Sequence, residues 1–145
     1  MTYPHTLSSP RLQLAYVPDV ETIGGLGAER CGIYYVRHGA VDIGAVSLTG
    51  HARAHGEIGY EIASAFRGQG FATEAVRAVV GGILGWHGFT VVSASARADN
   101  LASRRVLEKT GFARVGAKLC WMARHGSPVA VWRYRRVLDA LGNAP

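Results

Sequence analysis

The chain has 145 residues, 48% of them hydrophobic, and carries a formal net charge of +6 at pH 7. This length and apolar content suit a single domain over residues 1–145, and they exclude a membrane-spanning class, because no apolar run reaches the roughly 20 residues that a bilayer requires. The two cysteines are too few for a disulfide framework or a metal cluster, and no signal peptide opens the chain, so we expect reduced thiols, no metal and a cytoplasmic location.

Hydrophobic alternation, interrupted by turn residues, predicts strands at residues 11–16, 32–37, 41–48, 56–63, 90–96, 112–122 and 128–136. Two helices are expected, one from about residue 70 to residues 85–88 and a short one after the fifth strand. The order of these elements predicts the α+β class, with a mixed, mostly antiparallel seven-stranded sheet and helices on its faces.

The fourth strand, a glycine-rich turn and the long helix follow one another over residues 57–74. In the strand, apolar side chains alternate with Glu57 and Glu61, which places both carboxylates on one face. Gly68 and Gly70 in the turn have no Cβ atom, so the main chain can approach a ligand closely. Because a helix N-terminus also presents free N–H groups and positive charge, this junction predicts a phosphate site.

Two common phosphate motifs do not fit this turn. A Walker loop ends in GK(S/T), and the chain has no lysine before Lys109. A dinucleotide fingerprint needs Gly or Ala three residues after Gly70, where the chain has Thr73. The Walker loop is therefore excluded, and the match to the dinucleotide fingerprint is weak.

Residues 65–70, AFRGQG, resemble the acetyl-CoA loop of the GNAT N-acetyltransferases, whose pattern is (Q/R)xxGx(G/A). Ala65 departs from the Gln or Arg that opens this pattern. The longer form RGxGxATEA, which starts at Arg67, is similar to the branch that resembles the RimJ/RimL enzymes, which acetylate protein N-termini.

A second block points to the same family. Residues 99–112 resemble its NxxSxxxxEKxGF element, a helix with Asp99 or Asn100 as the N-cap and Gly111 as the left-handed stop. The two blocks have the order and spacing that the family uses, and the resemblance covers residues 44–112 well.

The resemblance implies a GNAT fold and an acetyl-CoA-dependent N-acetyltransferase. The acetyl group would move directly, in a ternary complex, to a primary amine such as a protein N-terminal α-amine or a small amine. Loop amides would hold the pyrophosphate, and two parting strands would hold the pantetheine arm. The implied cofactor residues are Ile62, Ala63, Ala65, Phe66, Arg67, Gly68, Gln69, Gly70, Phe71, Ala72, Asn100 and Ser103.

The transfer needs a base for the amine and a proton for the departing thiolate. Glu57 and Glu61 are the candidate bases, although both could instead be solvated strand residues or partners of arginines. Ser103 is the candidate acid, because the tyrosine that the family commonly uses is Leu107 here. Ser103 could equally be a helix N3 residue that helps to satisfy free amides.

The oxyanion of the tetrahedral intermediate also needs a hydrogen-bond donor. We expect a backbone N–H on the strand over residues 57–63, near Ile62 or Ala63.

Three aromatic residues and one charged pair have simpler structural interpretations. Trp121, Trp132 and Tyr134 fall in the last hairpin, which borders the acceptor site in this family. Alternating aromatic residues in strands are usually core, and we expect at least two of them to be core. Glu74 and Arg77 are expected to form an ion pair on the solvent face of the long helix.

Residues 17–31 are shorter than the two-helix segment that covers the acceptor pocket in this family, and a single short helix is expected there. The acceptor side should be open or completed by a second subunit, so a homodimer is one expectation. Two rival functions remain, a CoA-binding module without catalysis and an RNA-binding accessory domain that uses arginine clusters at residues 104–105 and 133–136. No nucleic-acid motif accompanies those clusters, so nucleic acid is not the expected partner.

Overall fold

The computed structural model describes residues 6–18, 32–52, 54–87, 89–122, 124 and 126–138. In chain order the described elements are β1 (Thr6–Ser8), β2 (Gln13–Pro18), β3 (Gly32–His38), β4 (Val41–Ala52), β5 (His55–Ile62), a 3₁₀ turn (Ser64–Phe66), α1 (Phe71–His87), β6 (Val91–Arg97), α2 (Leu101–Lys109), β7 (Ala113–Met122) and β8 (Ser127–Val137).

The strands form one mixed sheet in the order β1-β2-β3-β4-β5-β6-β8-β7. Every neighbouring pair is antiparallel except β5 and β6, which are parallel. The predicted α+β class and the predominantly antiparallel sheet are confirmed.

The expected number of seven strands is wrong, because the sheet has eight. The additional strand is β1, which has only three residues and pairs Thr6 with Ala15. So short a strand gives no alternation to detect in the sequence. The short helix expected after the first long strand lies outside the described residues, except that Val17 and Pro18 belong to β2.

Both helices pack on one face of the sheet. Helix α1 contacts β1, β4 and β5, and helix α2 contacts β6 and α1. The apolar stripe predicted for the long helix is buried at Ala75, Val76, Val79 and Val80, all of which are fully inaccessible. Neither helix in the described part of the chain has the length and apolar character that a membrane crossing needs.

Strands β5 and β6 part soon after they meet. They pair only at His55 with Val91, Gly56 with Val92 and Glu57 with Ser93. Beyond this point β5 continues to Ile62 beside β4, while β6 continues beside β8. The helix-covered side of the sheet therefore contains a slot between β5 and the elements that follow β6.

The expected ion pair between Glu74 and Arg77 is wrong. The Glu74 carboxylate accepts hydrogen bonds from Arg11 Nε at 2.8 Å, from Arg11 N at 3.0 Å and from the Ser9 hydroxyl. Arg77 instead donates to the carbonyl oxygen of Lys109 at 3.0 Å. The β1–β2 turn thus supplies three hydrogen-bond donors to the Glu74 carboxylate, which lies in the first turn of α1. Arg77 would supply only one guanidinium, so the carboxylate binds the β1–β2 turn instead.

These contacts make the stability of the fold depend on pH. Burial favours a higher pKa for Glu74, but the hydrogen bonds from Ser9 and Arg11 outweigh it and lower the pKa from its usual 4.5. A carboxylate with a lowered pKa stabilises the fold fully above its unfolded pKa, and this contribution is lost as the pH falls through the folded value.

We expect Glu74→Gln to lower the melting temperature at neutral pH by about 3 °C, and the difference from the wild type to shrink below about pH 4.5. Thermal unfolding across the acidic range measures it. The control is Asp42→Asn, whose exposed pair with Arg37 should contribute little at any pH. A Glu74→Gln difference that stays constant down to about pH 3 would contradict the prediction.

Candidate functional site

A cavity of about 580 Å³ lies where β5 and β6 part. Its walls come from the end of β5, the glycine-rich turn, the first turn of α1 and one side of α2. Most of the predicted site residues line it, namely Glu61, Ile62, Phe66, Arg67, Gly68, Gly70, Phe71, Ala72, Asn100 and Ser103. Four predicted site residues are absent from its wall, namely Glu57, Ala63, Ala65 and Gln69.

Six lining residues were missed at the sequence level: Tyr60, Thr73, Ala102, Arg105, Val106 and Lys109. Thr73 follows Gly70 by three residues, and Val106 and Lys109 follow Ser103 at intervals of three along α2. Helical spacing could have identified those three, because residues on one face recur every three or four positions. Tyr60 had no such signal, because it alternates with the carboxylates as an ordinary apolar residue would.

The turn between β5 and α1 leaves a group of main-chain amides without acceptors. Gly68 and Gly70 have φ angles of 77° and 80°, which side chains with a Cβ atom rarely adopt. The Phe66 and Arg67 amides donate within the 3₁₀ turn. Among the described residues, the amides of residues 68–73 have no protein acceptor. These N–H groups surround the N-terminus of α1, where the helix dipole adds positive potential.

Arg11 fixes the orientation of this turn from outside the cavity. Its Nη1 donates to the carbonyl oxygen of Gln69 at 2.9 Å, and its guanidinium carbon lies 4.4 Å from the centre of the Phe71 ring. In a trans peptide the C=O and the following N–H point in opposite directions, so this bond turns the Gly70 N–H away from Arg11. Arg67 Nε holds the other side of the turn through the Ile62 carbonyl oxygen at 2.8 Å.

The N-terminus of α2 is capped by Asn100. Its side-chain oxygen accepts from Ser103 N at 3.1 Å, which settles the predicted choice between Asp99 and Asn100. Asp99 instead binds Arg97 through both carboxylate oxygens, at 3.0 and 2.6 Å. The predicted left-handed stop is confirmed, since Gly111 has a φ of 89°. Capping commits the Asn100 oxygen, so only its amide nitrogen is left for a ligand.

Ser103 hydrogen-bonds a tyrosine on the opposite wall. Tyr60 Oη lies 2.8 Å from the carbonyl oxygen of Ser103 and 2.9 Å from Ser103 Oγ. A carbonyl can only accept and a phenol has one proton, so Tyr60 donates to the carbonyl and the serine hydroxyl donates to Tyr60. Burial raises the pKa of Tyr60, with a smaller contribution from Tyr134, against a lowering by the Ser103 bond. Leu107, where the family commonly has tyrosine, is fully buried.

The two candidate bases lie in different surroundings. Glu61 is exposed and lines the cavity. Glu57 is half-buried at the last position where β5 still pairs with β6, opposite Ser93. The hydroxyl of Ser93 hydrogen-bonds His55 Nε2 at 2.7 Å, on the strand face that also carries Glu57. Only Glu61 therefore combines solvent access with contact to the cavity.

One of the two expected oxyanion donors is already occupied. The Ala63 amide donates to the Ile43 carbonyl oxygen at 2.7 Å, so it cannot serve a ligand. Hydrogen bonding alternates along an antiparallel ladder, and this bond therefore directs the Tyr60 and Ile62 amides to the other edge of β5. That edge faces the slot, so Ile62 is the remaining donor of the expected pair.

The aromatic residues of the last hairpin are mostly structural. Tyr134 is 1% exposed and Trp132 packs against the core, which confirms the expectation that at least two are core, whereas Trp121 is 67% exposed. The guanidinium carbons of Arg104 and Arg114 lie 3.7 and 3.5 Å from the centre of the Trp132 ring. Part of the positive charge, including Arg104 from the arginine cluster at residues 104–105, thus stacks on an aromatic ring of the fold.

This chain is similar to known acetyltransferases. Residues 17–113 match the acetyltransferase (GNAT) domain profile. The curated, uncharacterized N-acetyltransferase YoaA of Bacillus subtilis (strain 168) is 35% identical over 88 residues, which are 59% of this chain and 50% of YoaA. The matched part therefore spans half the length of that relative.

Solved structures share the fold. The ribosomal L7/L12 α-N-protein acetyltransferase RimL, in complex with coenzyme A, has a TM-score of 0.77 at 17% identity over 97% of this chain and 99% of that one. The microcin C7 self-immunity acetyltransferase MccE, in complex with acetyl-CoA and AMP, has a TM-score of 0.67 at 23% identity over 76% of this chain and 62% of that one. At these identities the likeness is one of fold, and the predicted fold is confirmed with eight strands in place of seven.

Proposed function

This chain belongs to the GNAT acetyltransferase family, and from that premise we propose that it is an acetyl-CoA-dependent N-acetyltransferase acting by direct transfer in a ternary complex. The observation that carries the proposal is the set of amides at residues 68–73, which have no acceptor among the described residues and lie at the N-terminus of α1. Such amides at a helix N-terminus are a ready site for the pyrophosphate of the cofactor.

The cavity wall suits the rest of the cofactor. Arg67, Arg105 and Lys109 line it and offer positive charge to a polyanion. The amide nitrogen of Asn100 is available to the pantetheine arm, which would lie in the slot between β5 and α2. The thioester would then reach the Tyr60 and Ile62 amides and the Ser103 hydroxyl.

The chemistry needs a neutral amine and a stabilised oxyanion. We assign the oxyanion to the Ile62 N–H and the removal of the amine proton to Glu61, directly or through water. Neutralising an α-amino group near pH 7 costs about 1.4 kcal/mol, whereas a lysine side chain costs about 4 to 5 kcal/mol. An α-amine therefore asks less of the base, so we propose an α-amine of a protein as the first acceptor and a small amine as the second.

A first experiment tests the function itself. We expect saturating acetyl-CoA to raise the melting temperature by several degrees, since a ligand at 100 times its Kd adds about 2.7 kcal/mol. Thiol release with peptides that carry free N-termini, and with small amines, measures transfer. Gly70→Glu places a carboxylate at the loop amides and should abolish both signals.

The rival functions give different results in the same assays. A melting shift with no thiol release across both acceptor panels would favour a CoA-binding module without catalysis. No shift with either CoA or acetyl-CoA would refute the proposed function. RNA binding that falls steeply with salt and persists in Gly70→Glu would instead favour the RNA-binding alternative.

A second experiment separates the charge of Arg11 from its geometry. Arg11→Lys keeps the charge but not the planar fork that holds both Gln69 and Glu74. We expect it to weaken acetyl-CoA binding about tenfold by calorimetry, close to 1.4 kcal/mol, because the loop amides lose their fixed direction. Arg37→Lys, in an exposed pair on the β3–β4 hairpin, is the matched control. Equal affinities for Arg11→Lys and the wild type would refute this role.

A third experiment tests the base. Glu61→Gln should lower kcat/KM most at low pH, where little of the amine is already neutral, and should approach the wild type as the pH rises. Glu57→Gln, from the same strand face but outside the cavity wall, provides the comparison. If the wild-type pH profile keeps its shape in Glu61→Gln and changes in Glu57→Gln, the base is Glu57.

A further inference from the structure

We propose that Tyr60 is a positioning residue for acetyl transfer, which bridges the slot between β5 and α2 and holds the Ser103 hydroxyl until negative charge develops on the leaving sulfur. This inference rests on the proposed function and names a residue that the motifs did not indicate.

Tyr60 lies on β5 beyond the point where backbone pairing with β6 ends. The last backbone pair between β5 and β6 is Glu57 with Ser93, and Tyr60 comes three residues later on β5. Its phenol bonds both the main-chain oxygen and the side-chain oxygen of Ser103, at 2.8 and 2.9 Å. One side chain therefore fixes the distance between the strand and the helix on either side of the slot.

The bonds of Ser103 leave its position little freedom. Its N–H donates to Asn100, its carbonyl oxygen accepts from Tyr60, and its hydroxyl donates to Tyr60. The hydroxyl proton thus points toward Tyr60, and the lone pairs of the hydroxyl oxygen remain available. Only rotation about the Cβ–Oγ bond can redirect this proton, and such a rotation leaves the other two bonds intact.

This arrangement distinguishes a thioester from a thiolate. The uncharged thioester sulfur is a weak acceptor and does not compete with the Tyr60 oxygen for the serine proton. A hydrogen bond to an ionised acceptor is about twice as strong as a neutral one, so a departing thiolate does compete. The hydroxyl therefore turns toward sulfur as the C–S bond breaks, and the interaction stabilises the transition state more than the ground state.

Neither hydroxyl needs to lose its proton. A thiol has a reference pKa of about 8.5, and the pKa of Tyr60 lies above its own ordinary value. Transfer from the phenol to the thiolate is therefore uphill. As the C–N bond forms and the C–S bond breaks, the amine nitrogen releases a proton to Glu61 or water, and the thiolate takes up a proton from the same pool. After the C–S bond breaks and before the thiolate is protonated, the Ser103 hydroxyl donates a hydrogen bond to the sulfur.

A double-mutant cycle tests the coupling. We expect Tyr60→Phe to lower kcat about tenfold, with the KM for acetyl-CoA changed less than about twofold. Ser103→Ala should lower kcat at least as much, and the double variant should match Ser103→Ala, because Tyr60 acts through the serine. Losses that multiply in the double variant would overturn the proposal.

Tyr134→Phe is the matched control. Its hydroxyl is buried near Tyr60, whose pKa it raises, but it has no hydrogen-bond partner in the described part of the chain, so its removal should change kcat less than about twofold. If Tyr134→Phe loses as much activity as Tyr60→Phe, the effect belongs to packing and the proposal fails. A Tyr60→Phe protein that melts more than about 10 °C below the wild type would show a structural role and would also overturn it.

A second readout needs no turnover. The thiolate absorbance of bound CoA, titrated with pH, reports the pKa of its thiol in the complex. We expect this pKa to rise in Ser103→Ala, which removes the donor, and in Tyr60→Phe, which frees Ser103 from its fixed place beside the slot, and to change less in Tyr134→Phe. If the wild type binds CoA and its thiol titrates identically in all four proteins, the inference fails whatever the activity. If the titration differs as expected but no amine is acetylated, the proposed function alone fails.

Discussion

Buried or ligand-facing amides must find an acceptor, and among the described residues the amides of residues 68–73 have none and lie beside one cavity. The rest of the site depends on that constraint. Helix α1 stays in place because its buried stripe packs on the sheet, and the two glycines turn the chain with positive φ angles. Without the packed helix or the two glycines, the N–H groups would pair locally or face solvent. The cavity would then lack the positive potential that these groups provide.

The second requirement is a gap in an otherwise continuous sheet. Backbone pairing between β5 and β6 ends after Glu57, which frees the edge of β5 that carries the Tyr60 and Ile62 amides. A gap of this kind costs hydrogen bonds and needs other contacts to hold its width. Tyr60 supplies one such contact to Ser103, and the carbonyl oxygens at the end of α2 receive Arg77 and Arg136. These contacts keep β5 and α2 apart, so the slot stays wide enough for a ligand.

Local patterns predicted most of the fold and the position of the loop. Alternation, caps and glycines act over a few residues, so they correctly indicated the long strands, both helices and the stop at Gly111. What they could not show are contacts between distant parts of the chain. Glu74 pairs with Arg11 across 63 residues, and Tyr60 meets Ser103 across 43. The Ala63 amide was misjudged for the same reason, since its acceptor is on another strand.

The contact between Arg11 and Gln69 has a consequence for how the ligand site comes into existence. These residues are separated by 58 positions, so a peptide containing only the strand, the glycine turn and the helix would lack the guanidinium that orients the turn. Closure of so long a loop carries an entropic cost before the contact forms. Ligand recognition should therefore emerge late in folding, only when the β1–β2 hairpin has docked against α1.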